Sequence, residues 1–285
     1  MSDTSNKPTT TYRCEVLGVG ISPVNMQSAV ARIDGWIQRR EPNYVCITGV
    51  HGVMESQRKP ELKRIHNMAG MVTPDGMPMV WMNRIRGNSE VRRVYGPDLM
   101  RSVCSSGVAR GYKHFMYGGA DGVAEKLTAK LQQDYPGIQV VDSYTPPFRP
   151  LTPQEDADAI SRINDSGADI VWVGLSTPKQ EYWMAEHIGR LDAPVMVGVG
   201  AAFDFLAGLK SQAPRFVQSI GMEWFYRMVT EPKRLAKRYL TNNPLFVWSL
   251  FQEATGMRDF RMNQHRVIDF VESLESKPAE TAASV

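Results

Sequence analysis

Ala168-Asp-Ile-Val-Trp-Val-Gly174 is an almost unbroken apolar run that ends on glycine. A Leu-Ser-Thr turn follows, and then an amphipathic stretch from about Pro178 to Arg190 reads as a helix. Pro194-Val-Met-Val-Gly-Val199 repeats the apolar pattern directly afterwards. Short runs that are apolar at successive positions fit strands covered on both faces, the condition of a parallel sheet. Working outward, Tyr44–Thr48, Lys113–Tyr117 and Ile138–Val141 read as three further strands. A helix is expected from about Ala120 to Gln133, because Val123, Leu127 and Leu131 recur every four residues. Another is expected from Pro153 to about Asn164, capped by Thr152 with Glu155 three residues on, and with Ala159, Ile160 and Ile163 inward. Strands alternating with helices imply an α/β fold with a mainly parallel, Rossmann-like sheet flanked by helices.

The character changes near Pro214. Val217, Ile220, Trp224 and Met228 are spaced for one helix, Glu231-Pro232 restarts a second, and Asn242-Asn243-Pro244 is expected to break it before a third stretch from Leu245 to Glu253. The chain of 285 residues carries a net charge of +3, but ten Lys/Arg face only four acids between Lys210 and Arg266. That segment is +6 and the remainder −3, so the basic charge is concentrated where a polyanion would be met. The expected division is an α/β body over 12–213 and a helical basic C-terminal appendage over 214–260, with disordered tails at 1–11 and 275–285. Cys14, Cys46 and Cys104 form no disulfide framework or metal spacing and read as reduced thiols. No secretory signal opens the chain, and no run reaches the ~18 apolar residues of a membrane span. A cytoplasmic protein is the expectation.

Three glycine-bearing turns follow strands: Gly118-Gly119, Gly174-Leu-Ser-Thr-Pro178 and Gly198-Val-Gly200. In a parallel sheet ligands bind at the carboxyl ends of strands, where glycine lets backbone N–H groups approach a diphosphate. Each turn is also compatible with a purely structural role, and none completes a dinucleotide fingerprint. Thr73-Pro-Asp-Gly76 is turn chemistry. It can equally hold Asp75 at a strand end as a base for a hydroxyl proton. Gln180 and Glu181 open a helix and could recognise a ribose, base or sugar. Asp204 lies in an apolar run and needs a partner if buried. His51 follows the Tyr44–Thr48 strand and could line a site. The histidines and acids show no metal-ligand spacing, and no cofactor is expected.

Together these segments resemble one family, the WecG/TagA/CpsF glycosyltransferases. The blocks carrying the resemblance run in order: Thr73-Pro-Asp-Gly76, Arg92-Arg-Val-Tyr-Gly-Pro-Asp98, Tyr117-Gly-Gly119, Val173-Gly-Leu-Ser-Thr-Pro-Lys-Gln-Glu181, Gly198-Val-Gly-Ala-Ala-Phe-Asp-Phe-Leu-Ala-Gly208, Ala213-Pro214 and Gly221-Met-Glu-Trp-Phe-Tyr-Arg-Met228 with Glu231-Pro232. The resemblance implies inverting, metal-independent transfer from a UDP-sugar to a polyprenyl-diphosphate-linked sugar in cell-surface polysaccharide synthesis. It implies that Asp75 is the base and that Thr48, Arg93 and Gln180 line the sugar and diphosphate site. It further implies that the appendage docks on the inner membrane face and brings Arg227, Arg234 and Arg238 to the site. Arg234 and Arg238 are four residues apart and share a helix face. The sequence departs from the family pattern at Thr48-Gly-Val-His-Gly52 and at Tyr144-Thr-Pro-Pro-Phe148.

Two other readings compete. One is an NAD-dependent oxidoreductase, against which stand the incomplete glycine fingerprint and the missing ribose acid. The other is a non-enzymatic nucleic-acid-binding module that stacks bases on Trp224, Tyr239 and Trp248. No nucleic-acid-binding motif supports it, and nucleic acid is not an expected partner. The sequence leaves the donor sugar, the acceptor and any homo-oligomer open.

Overall fold

The computed structural model describes residues 13–261. The two expected tails lie outside them. A small antiparallel hairpin, β1 (Cys14–Val16) and β2 (Val19–Ile21), precedes helix α1 (Met26–Arg39). The α1 helix opens on a reciprocal cap between Asn25 and Ser28 and buries Ala29, Ile33, Trp36 and Ile37, one face at helical spacing. The order then runs β3 (Asn43–Thr48), α2 (Val50–Arg58), α3 (Pro60–Met68), β4 (Met71–Pro74), α4 (Met77–Ile85), α5 (Gly96–Val108), β5 (Lys113–Gly118), α6 (Val123–Asp134), β6 (Gln139–Tyr144), α7 (Pro153–Asp165), β7 (Ile170–Gly174), α8 (Lys179–His187), β8 (Val195–Gly198) and α9 (Ala202–Leu206). Three helices close it: α10 (Arg215–Ser219), α11 (Glu223–Thr230) and α12 (Pro232–Ala254).

Strands β3 to β8 form one wholly parallel sheet in the order β4-β3-β8-β7-β5-β6. The apolar run of β7 serves both faces. Val171 and Val173 belong to the core on one side, Ile170 and Trp172 to the core on the other. That explains why it reads as unbroken rather than alternating. Helix α7 starts on the expected reciprocal cap of Thr152 and Glu155 and buries Ala159 and Ile163, with Ile160 half-buried. The three cysteines are free and buried.

Three expectations shift. Helix α6 begins at Val123 rather than Ala120, because Gly118, Gly119 and Gly122 all take positive φ before it. The residues from Val217 to Met228 do not form one helix. Gly221, at φ +77°, turns the chain between α10 and α11, and a side chain there would press on Met77 at 3.2 Å. Conversely, Asn242-Asn243-Pro244 does not break α12, which runs through Pro244. Proline cannot donate to the carbonyl of Leu240, but both residues lie on the outer face of the helix, where water can serve that group. The buried positions of α12 are Leu235, Asn242, Phe246 and Ser249, and this face packs on α2.

Candidate active site

The chain runs from β3 out to β4 on one side, and the later strands fill the other. The order therefore reverses between β3 and β8, where a parallel sheet opens a crevice beyond its carboxyl ends. A cavity of about 670 Å³ lies there. Its floor comes from the residues just after β3, β4, β7 and β8, namely Gly49, Asp75, Ser176 and Val199–Gly200. Its far wall comes from α11 and α12, which contribute Arg227, Arg234, Arg238 and Asn242.

Asp75 follows β4 directly. Its N–H donates to the carbonyl of Thr48 at 3.0 Å, which ties the end of β4 to the end of β3. Gly49 abuts the carbonyl of Asp75 so closely that a Cβ would sit 2.7 Å from it. Gly76 then leaves at φ +86°. Arg93 comes from an extended segment alongside β4, fixed by Val94 N–H to the carbonyl of Pro74 at 3.1 Å and by Thr73 Oγ1 to the carbonyl of Val94 at 3.3 Å. Its guanidinium donates to Asp75 Oδ1 through Nε at 3.3 Å and Nη2 at 3.2 Å, and lies 4.2 Å from the ring centre of Tyr95. The remaining donors reach into the appendage, to Gln218 Oε1 at 2.8 Å and to Glu223 Oε2 at 2.5 Å.

The electrostatics follow from that clamp. Burial weakens the charged form of Arg93, but Asp75 and Glu223 outweigh it and raise its pKa. Burial pushes the Glu223 carboxyl above its ordinary range; Arg93 pulls it back, and Asp75 adds to the rise. Arg227 likewise loses to burial but is held charged by Tyr239, Tyr95, Glu223 and Asp75, and its guanidinium lies 5.4 Å from the ring centre of Phe205. The Nε atoms of Arg227 and Arg238 are buried without a hydrogen-bond partner. Buried donors of this kind are costly unless something meets them, so two arginines stand ready for an anion. Arg234 is turned aside to Glu231 at 2.6 Å.

Gln180 opens onto the cavity from the first turn of α8. Its Nε2 donates to Glu181 Oε1 at 3.2 Å, and its buried Oε1 has no partner. Gly198 makes room for it, since a Cβ there would lie 3.0 Å from Nε2. Glu181 sits behind, fully buried, accepting also from Thr177 at 2.9 Å, and burial raises its carboxyl.

The cavity thus brings together Asp75, Arg93, Gln180, Gly198, Gly200, Arg227, Arg234 and Arg238 among the residues expected from sequence. It does not include the others. Thr48 is buried beneath, its Oγ1 without a partner. Glu181 supports Gln180 rather than facing the cavity. Gly118, Gly119 and Gly174 mark tight packing: a Cβ at 118 would meet Gly174 backbone at 2.9 Å, one at 119 would meet Val123 and Phe203 at 3.3 Å, and one at 174 would meet Phe203 at 2.9 Å. Asp204 is paired with Lys210 at 2.7 Å on α9, away from the lining. Sequence reasoning did not single out Glu223, Gln218 or Asn242. Glu223 stands within the Gly221–Met228 block, and its place as one of only four acids against ten Lys/Arg between Lys210 and Arg266 was the available signal.

The model of the glycosyl transferase WecG/TagA/CpsF family matches residues 14–259. An N-acetylglucosaminyldiphosphoundecaprenol N-acetyl-beta-D-mannosaminyltransferase of Staphylococcus aureus is 26% identical over 242 residues, 84% of this chain and 92% of its own length. The protein of the same name from Bacillus spizizenii is 27% identical over 183 residues, 63% of this chain and 68% of its own.

Proposed function

The chain belongs to the glycosyl transferase WecG/TagA/CpsF family, and on that premise we propose that it moves a hexose or N-acetylhexosamine from a UDP-sugar onto a polyprenyl-diphosphate-linked sugar, with inversion. The relatives are named for transfer to N-acetylglucosaminyldiphosphoundecaprenol, and an acceptor of that class is part of the proposal. The observation that carries it is the pairing, in one cavity, of an Arg93-held carboxylate at Asp75 with the unpartnered Nε donors of Arg227 and Arg238.

Asp75 takes the proton of the acceptor hydroxyl as that oxygen attacks the anomeric carbon. The bond to the UDP oxygen breaks on the opposite face, and the leaving diphosphate gathers charge. Arg227 and Arg238 meet that charge with donors that need no reorganisation, the role a metal ion plays elsewhere. Among the described residues no group of three His, Cys, Asp or Glu could hold a metal. Gln180 contributes an acceptor oxygen toward a ribose, base or sugar.

The appendage of residues 214–260 carries exposed Phe225, Val229, Leu240, Val247, Trp248 and Phe251 interleaved with Lys233 and Lys237. Apolar and basic residues on one outer surface suit an interface with anionic lipid. Among the described residues no helix is long and apolar enough to cross a membrane. Peripheral attachment at the inner face of the plasma membrane, in cell-surface polysaccharide synthesis, completes the proposal.

Thermal stabilisation tests the donor class. UDP, binding only the folded state, raises the melting temperature by mass action, and NAD leaves it unchanged. Stabilisation by NAD and not by UDP would favour the oxidoreductase reading.

A further inference from the structure

His51 lies in the first turn of α2, just after β3, and lines the cavity. Gly49, two residues before it, abuts Asp75. A chain of two side-chain hydrogen bonds reaches His51 from behind. Arg58 Nη2 donates to Asn242 Oδ1 at 2.7 Å, and Asn242 Nδ2 faces His51 Nδ1 at 3.1 Å. Arginine has no acceptor, so the Asn242 oxygen must be the atom turned toward it. The Asn242 amide nitrogen, which can only donate, is thereby fixed on His51 Nδ1. Were Nδ1 protonated, two donors would face each other inside the α2–α12 packing, where Asn242 is 4% exposed. The proton is therefore excluded from Nδ1.

We infer that Arg58 and Asn242 lock His51 in its Nε2–H form, and that this N–H donates to a hydroxyl or carbonyl oxygen of a sugar bound beside Asp75. The sugar contact rests on the glycosyl-transfer reading; the lock does not. Burial, with Arg238 and Arg58 nearby, lowers the His51 pKa to about 4 against the opposing pull of Glu55, so the ring is a neutral donor. A neutral N–H suits an uncharged sugar oxygen, while the charged diphosphate has the arginines. One half of the lock, Arg58, belongs to the body, and the other, Asn242, to α12. Seating of the appendage therefore also sets which ring nitrogen of His51 carries the proton. Asn242 is a positioning residue acting through His51.

The lock is tested on the full-length chain labelled with ¹⁵N-histidine, with the His51 ring resonances identified by their loss in His51→Gln. At neutral pH wild-type His51 should show a protonated Nε2 and a bare Nδ1. Asn242→Asp, which puts an acceptor on both Arg58 and His51, should move a proton onto Nδ1 while the melting curve stays cooperative. A wild-type ring protonated on Nδ1, or a ring indifferent to Asn242→Asp, overturns the lock. The contact is tested by kinetics with UDP-N-acetylhexosamine and a short-chain lipid-diphosphate-sugar. His51→Phe should raise KM for one sugar substrate about three- to tenfold, the worth of one neutral hydrogen bond, and His51→Gln, which keeps a donor, should recover most of it. A rise for the donor assigns the transferred sugar; a rise for the acceptor assigns the receiving one. If UDP alone loses affinity by the same factor, or if neither KM moves, the sugar contact is wrong. Wild-type protein that binds neither UDP nor UDP-sugar defeats the functional reading and the sugar contact with it, and leaves the ring measurement to decide the lock by itself.

Discussion

Arg93 donates twice to Asp75 Oδ1, through Nε at 3.3 Å and Nη2 at 3.2 Å, from a position eighteen residues further along the chain. The same guanidinium holds Gln218 and Glu223 of the appendage. One side chain therefore joins the carboxylate at the end of β4 to the helices that supply the cavity's arginines.

Asp75→Asn keeps the shape of the loop and removes the base. Initial-rate assays should show a loss of about 10²–10⁴-fold in transfer, with UDP affinity within a factor of two or so of wild type. A variant retaining more than about a tenth of the rate would reduce Asp75 to a turn residue.

Arg93→Ala removes the guanidinium that binds both Glu223 and Asp75 and leaves them only the more distant charge of Arg227. Breaking a largely buried pair from one side costs about 3 kcal/mol, which denaturant unfolding should register. Adding Glu223→Gln to Arg93→Ala should restore part of that stability, because it removes the stranded charge. Additive losses in the double variant would mean that the pair contributes no coupling.

Stability should depend on pH through the buried histidines. Burial holds His51, His66 and His114 near pKa 4 in the folded protein, well below their ordinary 6.5. Between those values the unfolded chain binds protons that the folded one refuses, so their contribution is complete above about 6.5 and falls as pH drops toward 4. Glu181, its carboxyl raised by burial, acts with the opposite slope above its ordinary 4.5, so a single site is the cleaner probe. Trp172 Nε1 donates to His114 Nδ1 at 3.1 Å, and asparagine offers an oxygen in that place. His114→Asn should be less stable overall, and its unfolding free energy should fall less steeply between pH 6.5 and 4, by about 1.4 kcal/mol per pH unit at most. Parallel curves for variant and wild type would contradict the assignment.

Trp248 and Phe251 stack on the outer face of α12 with ring centres 5.4 Å apart, both about half exposed. Trp248→Glu with Phe251→Glu should abolish co-sedimentation with anionic vesicles and leave UDP-induced stabilisation intact. Unchanged sedimentation would place lipid contact elsewhere.

Much of this was legible beforehand where one local pattern was enough. The runs at β3, β5, β7 and β8 announce themselves because both faces of each strand are buried, and the Thr152–Glu155 cap marks α7. That Asp75 and Gln180 line the cavity was legible because each sits where a strand ends or a helix begins. What escaped depends on tertiary contact. Pro244 looks like a helix breaker until its outward position on α12 is known. Gly118, Gly119 and Gly174 look like a diphosphate cradle until Phe203 is seen packed against Gly119 and Gly174, and the Gly174 backbone against Gly118. Glu223 and Asn242 gain a role only from residues more than a hundred positions away, Arg93 and His51, and no spacing rule links such pairs.

The most direct test is transfer itself. Full-length protein is offered a panel of UDP-sugars with a short-chain polyprenyl-diphosphate-N-acetylglucosamine, with and without EDTA; the lipid product is weighed by mass spectrometry and its anomeric configuration is read by NMR. The account predicts addition of one sugar from at least one UDP donor, undiminished by EDTA, with inverted anomeric configuration, and absent with Asp75→Asn. An unchanged acceptor mass with every donor, or transfer that stops in EDTA and returns with Mg²⁺ or Mn²⁺, would contradict it.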